Sequence, residues 1–389
     1  MLELLLDAEV YAPESLGRRN LLIGGGKILW IGDDEPDMPS ELGVKTRDLG
    51  GKRLIPGLID CHAHLTGGGG EAGYASRVPP MMLSRFTRGG VTSVVGLLGT
   101  DDLVRTTAQL VATARGLCEE GLSAWCYTGG YHVPVTTLTG SIRGDIVHID
   151  RILGVGELAI SDHRSSQPTL DELLRIASEA HVAGLMTGKA GTLHLHMGDG
   201  ERGLALVREA IELTEIPARV FHPTHCNRKR ALFDEALDLT ERGCTIDVTA
   251  YPVEKGEDAW SAGDAVARFL EADVDPTRIT VSSDGGGCLP NFDADGRVTS
   301  WGVGSPESLA QTLAELLDRG LPLDDVLPPF TSNVADLLRL PGKGRIEVGR
   351  DADLVALDDA HRVTDVMANG RWHVCDGLQV VRGTFETRG

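Results

Sequence analysis

The central part of the chain alternates short apolar runs with longer amphipathic stretches. The apolar runs are brief and bounded by turn residues, as expected for buried strands. The candidate strands are Leu54–Ile59, Val91–Val95, Ala124–Thr128, Leu158–Ser161, Thr192–His196, Arg219–His225, Cys244–Thr249 and Arg278–Ser283. The candidate helices between them are Met81–Arg88, Asp102–Glu120, Leu170–Ala183, Glu201–Thr214, Arg230–Arg242 and Asp258–Glu271. Eight strands with intervening helices predict an α/β protein with a (β/α)8 barrel.

Both ends of the chain show a different pattern, with short strands joined by tight turns. Gly24-Gly25-Gly26-Lys27 predicts a hairpin near the start, and Asn369-Gly370 predicts a type I′ hairpin between Val363–Met367 and Trp372–Cys375. The two ends are expected to pair into one small β-sandwich domain. The predicted division is residues 1–53 and 341–389 for that domain and residues 54–340 for the barrel.

A doubly wound open sheet is the alternative to a barrel. The sequence has no G-x-G-x-x-G after a candidate strand, which argues against a dinucleotide-binding sheet. The run Gly67–Gly70 is interpreted instead as a loop that lets the backbone approach a neighbour closely.

The amino-acid composition limits which binding partners and which cellular compartment are expected. The 389 residues carry a formal net charge of -20, which argues against nucleic acid and anionic membranes as partners. The seven cysteines are scattered without a C-x-x-C pair, so a reducing compartment is expected. The start of the chain has no basic segment typical of a signal peptide. The expected location is the cytoplasm.

The strand ends carry residues that bind metals. His62 and His64 alternate, so both point to one face of a strand and can bind one ion. Each such residue also has an ordinary explanation, for example a packed histidine for His194 or His196 or a turn former for Asp284. Their joint placement at successive strand ends favours a two-metal hydrolytic site. The candidate ligands are His62, His64, Glu157, His196, His225 and Asp284.

This order of ligands resembles the amidohydrolase superfamily, as does Gly349-Arg350-Asp351-Ala352-Asp353-Leu354-Val355 near the end. More narrowly, the chain resembles bacterial isoaspartyl (β-aspartyl) dipeptidases over nearly its full length. The stretches that carry this resemblance are HLTGGGGEAG (64–73), GVTSVVGLLGTD (90–101), YHVP (131–134), LTGS (138–141), AISDHRS (159–165), HMGD (196–199), PTHCNR (223–228), SSDGGG (282–287) and GTFET (383–387).

The resemblance implies two divalent ions, with zinc the first expectation, and a bridging hydroxide that attacks the β-aspartyl peptide bond of a dipeptide. His62 and His64 would bind one ion, and His196 and His225 the other. Asp284 would bind metal and transfer protons as general acid and base. Tyr131 would donate a hydrogen bond to the developing oxyanion.

The same resemblance implies the residues that bind the substrate. Glu71 would bind the free α-ammonium group, with Thr100 beside it. Arg164 and Arg228 would bind carboxylates, and bidentate guanidinium pairing suits that task. Cys288 stands where the family pattern has a serine that helps to hold a carboxylate. A homo-oligomer, an octamer by resemblance, is also implied.

A second departure from the family pattern lies on strand 4. The family bridges its metals with a carboxylated lysine, but no lysine occurs between Lys52 and Lys189. Glu157 is the natural substitute, and Gly156 would permit a bulge that brings the shorter side chain closer.

Two other functions stay open at this stage. One is hydrolysis of another small N-acyl amino acid or a cyclic amide, and the other is metal binding or assembly without turnover.

Overall fold

The computed structural model of the chain describes residues 2–292 and 298–387. The strands are β1 (Leu2–Tyr11), β2 (Ser15–Gly24), β3 (Lys27–Gly32), β4 (Lys45–Asp48), β5 (Arg53–Pro56), β6 (Leu58–Ala63), β7 (Val91–Gly96), β8 (Ser123–Thr128), β9 (Ile152–Ile160), β10 (Leu193–Met197), β11 (Phe221–Thr224), β12 (Ile246–Thr249), β13 (Ile279–Ser282), β14 (Cys288–Phe292), β15 (Val298–Val303), β16 (Leu354–Leu357), β17 (Val363–Ala368), β18 (Arg371–Cys375) and β19 (Leu378–Gln379). The α-helices are α1 (Leu83–Thr87), α2 (Thr107–Glu119), α3 (Ile142–His148), α4 (Leu170–Thr187), α5 (Ala205–Leu213), α6 (Arg230–Glu241), α7 (Ala262–Glu271), α8 (Glu307–Asp318), α9 (Leu323–Val326) and α10 (Ser332–Leu337).

Strands β6 to β13 form the predicted barrel. β6 to β11 make one parallel sheet in chain order, and β12 pairs with β13. The ring closes where Ala63 forms a parallel bridge with Gly285, just after β13. A helix follows each of the eight strands, so the apolar faces of strands and helices bury one continuous core. The (β/α)8 prediction is therefore confirmed.

The first barrel strand differs from its prediction. The run Leu54–Ile59 is divided at Gly57, because β5 pairs with β16 outside the barrel and β6 begins only at Leu58. A side chain on Gly57 would lie 2.0 Å from Thr92 Oγ1, so the chain needs glycine where it passes from one sheet to the other. The shift places His62 inside β6 and His64 directly after it.

The two chain ends form one sheet, as expected. Strands β1 to β5 join β16 to β19, with β5 and β16 antiparallel neighbours at the junction. Asn369 and Gly370 both have positive φ, 49° and 73°, as a type I′ turn between β17 and β18 requires. The exact domain boundaries stay a prediction.

Local capping explains where the longest helix starts. Thr169 and Glu172 form a reciprocal capping box at the beginning of α4, and Gly188 in the left-handed region follows its end. The sequence pattern missed α3, α8, α9 and α10. α3 is one short helix of seven residues, too brief for a clear helical period.

Among the described helices, none has the length and apolar character needed to cross a bilayer.

A buried lysine links the terminal sheet to the barrel. Lys343 is 5% exposed, and its Nζ lies 2.6 Å from Asp353 Oδ2 and 2.9 Å from Asp351 Oδ2. It also donates to Ser123 Oγ at the start of barrel strand β8, at 2.7 Å. One cation thus joins the acidic turn before β16 to the barrel wall.

Replacing Lys343 with methionine should destabilise the protein strongly. The change leaves the carboxylate of Asp353 buried without its cation, which costs about 3–5 kcal/mol in comparable pairs. Urea unfolding followed by circular dichroism measures the effect. The matched control is Arg362→Met, which breaks the exposed pair with Asp358 and should cost less than about 1 kcal/mol. Equal losses in the two variants would contradict this role for Lys343.

Candidate active site

Glu157 lies at the centre of four histidines near the carboxyl ends of the barrel strands. Its Oε1 is 3.5 Å from His64 Nε2. Its Oε2 is 3.6 Å from His62 Nε2, 3.2 Å from His196 Nδ1 and 3.7 Å from His225 Nε2. All five side chains are nearly inaccessible to solvent. One carboxylate therefore contacts imidazoles in or directly after β6, β10 and β11. Its role as a bridging group stays a prediction.

A bulge in β9 brings Glu157 to this position. Leu193 pairs with Val155 and Leu195 with Leu158, so β9 has one residue more than β10 over the same span. The additional residue lies at Gly156-Glu157, inside β9 rather than before the predicted strand. A side chain on Gly156 would place its Cβ 2.7 Å from that of His194, so only glycine fits.

Asp284 lies on the other side of the first histidine pair. Its Oδ1 is 3.2 Å from His64 Nε2 and 3.5 Å from His62 Nε2. The residue has a φ of 51°, an uncommon value away from glycine that recurs at binding and catalytic sites. A Cβ on Gly287 would lie 2.2 Å from Asp284 Oδ1, so the glycine run after Asp284 makes room for the carboxylate.

A second buried carboxylate fixes the turn that carries Asp284. Asp60 accepts hydrogen bonds from the backbone N–H and the hydroxyl of Ser283, at 3.1 and 2.5 Å. Burial raises the pKa of Asp60 to about 6. The contact ties β6 to the loop after β13.

The ionisation of the cluster follows from burial and close opposite charges. Burial opposes the charge on Glu157, yet the surrounding histidines hold its pKa well below the usual range. Burial also opposes charging His62, but Glu157 and Asp284 raise its pKa to about 9. Burial lowers the pKa of His225 to about 3. Burial opposes the charge on Asp284 too, but hydrogen bonds with His62 and His64 hold its pKa well below the usual range. The carboxylates of Glu157 and Asp284 are therefore negative near neutral pH and attract cations.

The cluster fits divalent metal ions. Within this cluster, four buried side-chain atoms have no hydrogen-bond partner among the described residues: His62 Nε2, His64 Nδ1, Glu157 Oε1 and Asp284 Oδ1. Two groups of ligand atoms come close enough to bind one ion each, His62 with His64 and Asp284, and His62 with Glu157 and His225. Imidazole nitrogens and carboxylate oxygens at this spacing suit zinc and similar cations.

Tyr131 and the two predicted arginines surround His196. The hydroxyl of Tyr131 lies 2.8 Å from His196 Nδ1, and burial raises the pKa of that phenol well above its usual value, so it stays protonated. The guanidinium of Arg164 lies over the Tyr131 ring, 5.5 Å from its centroid. Arg228 donates to the carbonyl of Met197 at 3.0 Å. One hydrogen-bond donor and two cations thus border the cluster of histidines and carboxylates.

The remaining predicted residues, Glu71, Thr100 and Cys288, are partly accessible to solvent. We call the accessible side of the site that carries Glu71, Arg164 and Arg228 its entrance. Glu71 Oε1 lies 3.4 Å from Arg164 Nη1, so the proposed ammonium and carboxylate binders contact each other. Thr100 is half-buried in the loop after β7, next to Gly99. Cys288 begins β14, and burial, with Glu71 and Asp284 nearby, raises the pKa of its thiol to about 11. A protonated thiol is a poor nucleophile.

Sequence reasoning missed Asp162. Its Oδ2 lies 3.0 Å from His196 Nε2 and accepts from Arg164 Nη2 at 2.7 Å. It therefore orients a histidine of the cluster and an arginine at the entrance together. The sequence signal that could have identified Asp162 is its position two residues before the predicted carboxylate-binding Arg164.

Arg105 is a second missed residue, and it holds the glycine-rich loop that carries Glu71. This buried side chain donates to the carbonyls of Thr66 at 3.1 Å and Val78 at 2.8 Å, and to Asp101 Oδ2 at 2.9 Å. The loop from 66 to 78 is thus fastened at both ends by one guanidinium group. No local sequence pattern reveals this contact.

Comparison with known proteins gives a consistent picture. The model of the amidohydrolase family matches residues 53–373. A beta-aspartyl dipeptidase from the thermophilic, keratin-degrading Fervidobacterium islandicum AW-1, solved in complex with beta-Asp-Leu dipeptide, is 41% identical, with a TM-score of 0.90. The alignment covers 97% of this chain and 98% of that one.

More distant curated relatives align over most of their length. The imidazolonepropionase of Paracoccus denitrificans (strain Pd 1222) is 26% identical over 88% of both chains. The allantoinase of Streptomyces avermitilis is 24% identical over 91% of this chain and 85% of its own.

Replacing Arg105 with lysine should loosen the loop from 66 to 78. Lysine keeps the charge but cannot donate to two carbonyls and a carboxylate in fixed geometry. Loss of about 1.4 kcal/mol of local stability would raise proteolytic cleavage in the loop about tenfold. Limited proteolysis with mass spectrometry measures the rate. Arg115→Lys, an exposed change on α2, should leave it unaltered. Unchanged cleavage in Arg105→Lys would contradict this role.

Proposed function

This chain belongs to the amidohydrolase family, and we propose that it hydrolyses the β-aspartyl (isoaspartyl) peptide bond of dipeptides with two divalent metal ions, zinc in the simplest case. The observation that carries the proposal is the placement of Glu157 among four histidines, with Arg164 and Arg228 both 3.4 Å from His196 Nε2 and Glu71 in contact with Arg164. A relative that is 41% identical binds beta-Asp-Leu, a dipeptide of this class.

The ligand groups divide into two sets that share one carboxylate. His62, His64 and Asp284, which lie close enough together for one ion, would hold the first ion. His196 and His225, which both lie near Glu157 Oε2, would hold the second, and Glu157 would be the carboxylate shared by the two sets. Divalent ions bound there would acidify a water molecule and polarise the scissile carbonyl group.

Asp284 and Tyr131 would handle the proton and the developing charge. Asp284 faces the metal cluster and is ionised, so it would take the proton of the attacking water and deliver it to the leaving amine. The protonated Tyr131 hydroxyl would donate a hydrogen bond to the carbonyl oxygen as it becomes negative.

The entrance suits the two charges of the aspartyl part of the substrate. A β-linked dipeptide carries a free α-ammonium next to a free α-carboxylate. Glu71 Oε1 and Arg164 Nη1 lie 3.4 Å apart and pair with each other. When substrate binds, Glu71 would pair with its α-ammonium group and Arg164 with its α-carboxylate instead. Arg228 would bind a further carboxylate, with Thr100 and Cys288 completing the pocket. Because a thiol donates weakly, Cys288 would contribute little to carboxylate binding.

The metal identity, a homo-oligomeric assembly and a cytoplasmic location stay predictions.

The zinc-loaded protein should hydrolyse β-Asp-Leu, and Asp284→Asn should abolish most of this activity. Removal of a general acid and base costs about 10²–10⁴-fold in rate. Release of leucine, measured by a coupled amino-acid assay, gives kcat/KM, and α-Asp-Leu serves as the control substrate. Asp359→Asn, an exposed change in the turn after β16, is the matched control variant. Full metal occupancy without turnover of β-Asp-Leu would overturn the proposed function.

Glu71→Gln should reduce kcat/KM for β-Asp-Leu by about tenfold to a hundredfold, mainly through KM, because a charged hydrogen bond contributes about 1.5–3 kcal/mol. N-acetyl-β-Asp-Leu, which lacks the ammonium group, should be a poor substrate of the unaltered protein. Glu209→Gln, an exposed change on α5, is the matched control. Faster cleavage of the acetylated compound than of β-Asp-Leu would instead favour an amidohydrolase of N-acyl amino acids.

A further inference from the structure

A row of buried rings extends from His62 away from the substrate entrance. Nδ1 of His62 lies 2.8 Å from Nε2 of His194, and Nδ1 of His194 lies 2.9 Å from Nδ1 of His222. Nε2 of His222 lies 3.1 Å from the hydroxyl of Thr280. All of these side chains are fully buried, and His194 stacks against Tyr127 with ring centroids 5.1 Å apart. The row continues the metal cluster into the barrel interior.

The row ends at Asp247, a fully buried carboxylate. The hydroxyl of Thr280 donates to its Oδ1 at 2.7 Å, and Cys61 Sγ lies 3.2 Å from the same oxygen. The hydroxyls of Thr224 and Ser282 donate to its Oδ2 at 2.6 and 2.5 Å. All four partners are groups that donate, so together they satisfy an ionised carboxylate.

An ionised carboxylate accepts hydrogen bonds and donates none, which sets the direction of every bond in the row. Thr280 gives its proton to Asp247 and so accepts from Nε2–H of His222. A neutral His222 with its proton on Nε2 has a bare Nδ1, which accepts from Nδ1–H of His194. His194 then has a bare Nε2, which accepts from Nδ1–H of His62. In the neutral form that a metal ligand requires, His62 then has its lone pair on Nε2, the atom that faces Glu157 and Asp284.

Cys61, His222 and Asp247 also lie close enough together to resemble a separate metal site. The hydrogen bonds to both oxygens of Asp247 argue against that interpretation, because an ion would have to displace them. The geometry favours a hydrogen-bonded support over a third ion.

We propose that Asp247, acting through Thr280, His222 and His194, holds His62 in the tautomer that presents Nε2 to the metal. Asp247, Thr280, His222 and His194 are thus positioning residues for a ligand of the cluster. The inference rests on the proposed metal site, not on the identity of the substrate.

Thr280→Val tests the proposal because it removes one hydroxyl link and keeps nearly the same shape. Thr224→Val is the matched control: it removes a hydroxyl donor from the same carboxylate, at an equally buried position, outside the row. Thr280→Ser keeps the hydroxyl and is the rescue variant. Affinity for zinc is measured by competition with a chromogenic chelator, without substrate. Thermal unfolding of each metal-free variant separates loss of stability from loss of affinity.

Thr280→Val should bind zinc about tenfold to a hundredfold more weakly than the unaltered protein, as expected when a supporting contact of a metal ligand is lost. Thr280→Ser and Thr224→Val should bind with wild-type affinity, although Thr224→Val lowers the melting temperature of the metal-free protein as much as Thr280→Val does. The unaltered protein should bind two ions per chain, not three.

Equal zinc affinity in Thr280→Val and the unaltered protein would overturn the inference, as would equal weakening in Thr280→Val and Thr224→Val. Either result leaves the proposed function standing. A chain that binds zinc as described but does not cleave β-Asp-Leu would overturn the proposed function alone. Failure of the unaltered protein to bind any divalent ion would overturn both.

Discussion

The site depends on one buried carboxylate that is surrounded by four imidazoles. A charge without solvent is costly unless compensating groups are close, and Glu157 has four imidazoles within 3.7 Å of its carboxylate oxygens. The nearby backbone is arranged so that Glu157 and these imidazoles can come close together. β9 bulges to deliver the side chain, and Gly156 lets β10 come close. Gly99 leaves room as well, because a Cβ there would lie 2.8 Å from His64 Cε1.

Several parts of the molecule follow from local sequence alone. Asn369-Gly370 specifies its turn because both residues tolerate a left-handed backbone. The ligand order was readable because barrel chemistry collects at the carboxyl ends of strands, so residues distant in sequence share one rim. The boundary at Gly57 was not readable. The apolar run continues across it, and only the pairing of β5 with β16 shows that two sheets share the run.

The supporting residues escape sequence reasoning for a different reason. From the sequence, His194, His222 and Asp247 resemble packed or satisfied polar residues, because each lies within a short buried strand. Their role depends on contacts between side chains of neighbouring strands. In this row the direction of each hydrogen bond determines the direction of the next. Arg105 likewise acts through backbone carbonyls, which have no sequence signature.

The pairing of β5 with β16 also has a consequence for synthesis on the ribosome. Leu354 pairs with Pro56, so roughly 300 residues must be made before the N-terminal strands gain this neighbour. At a synthesis rate of about 5–20 residues per second, the edge of β5 stays without β16 for on the order of 15–60 s. During that time it exposes unpaired backbone groups that can join other chains. Chaperones, or early pairing of β1 with β5, can cover these backbone groups while the chain is being made. The yield of folded protein in cells therefore depends on how well this strand is covered during synthesis.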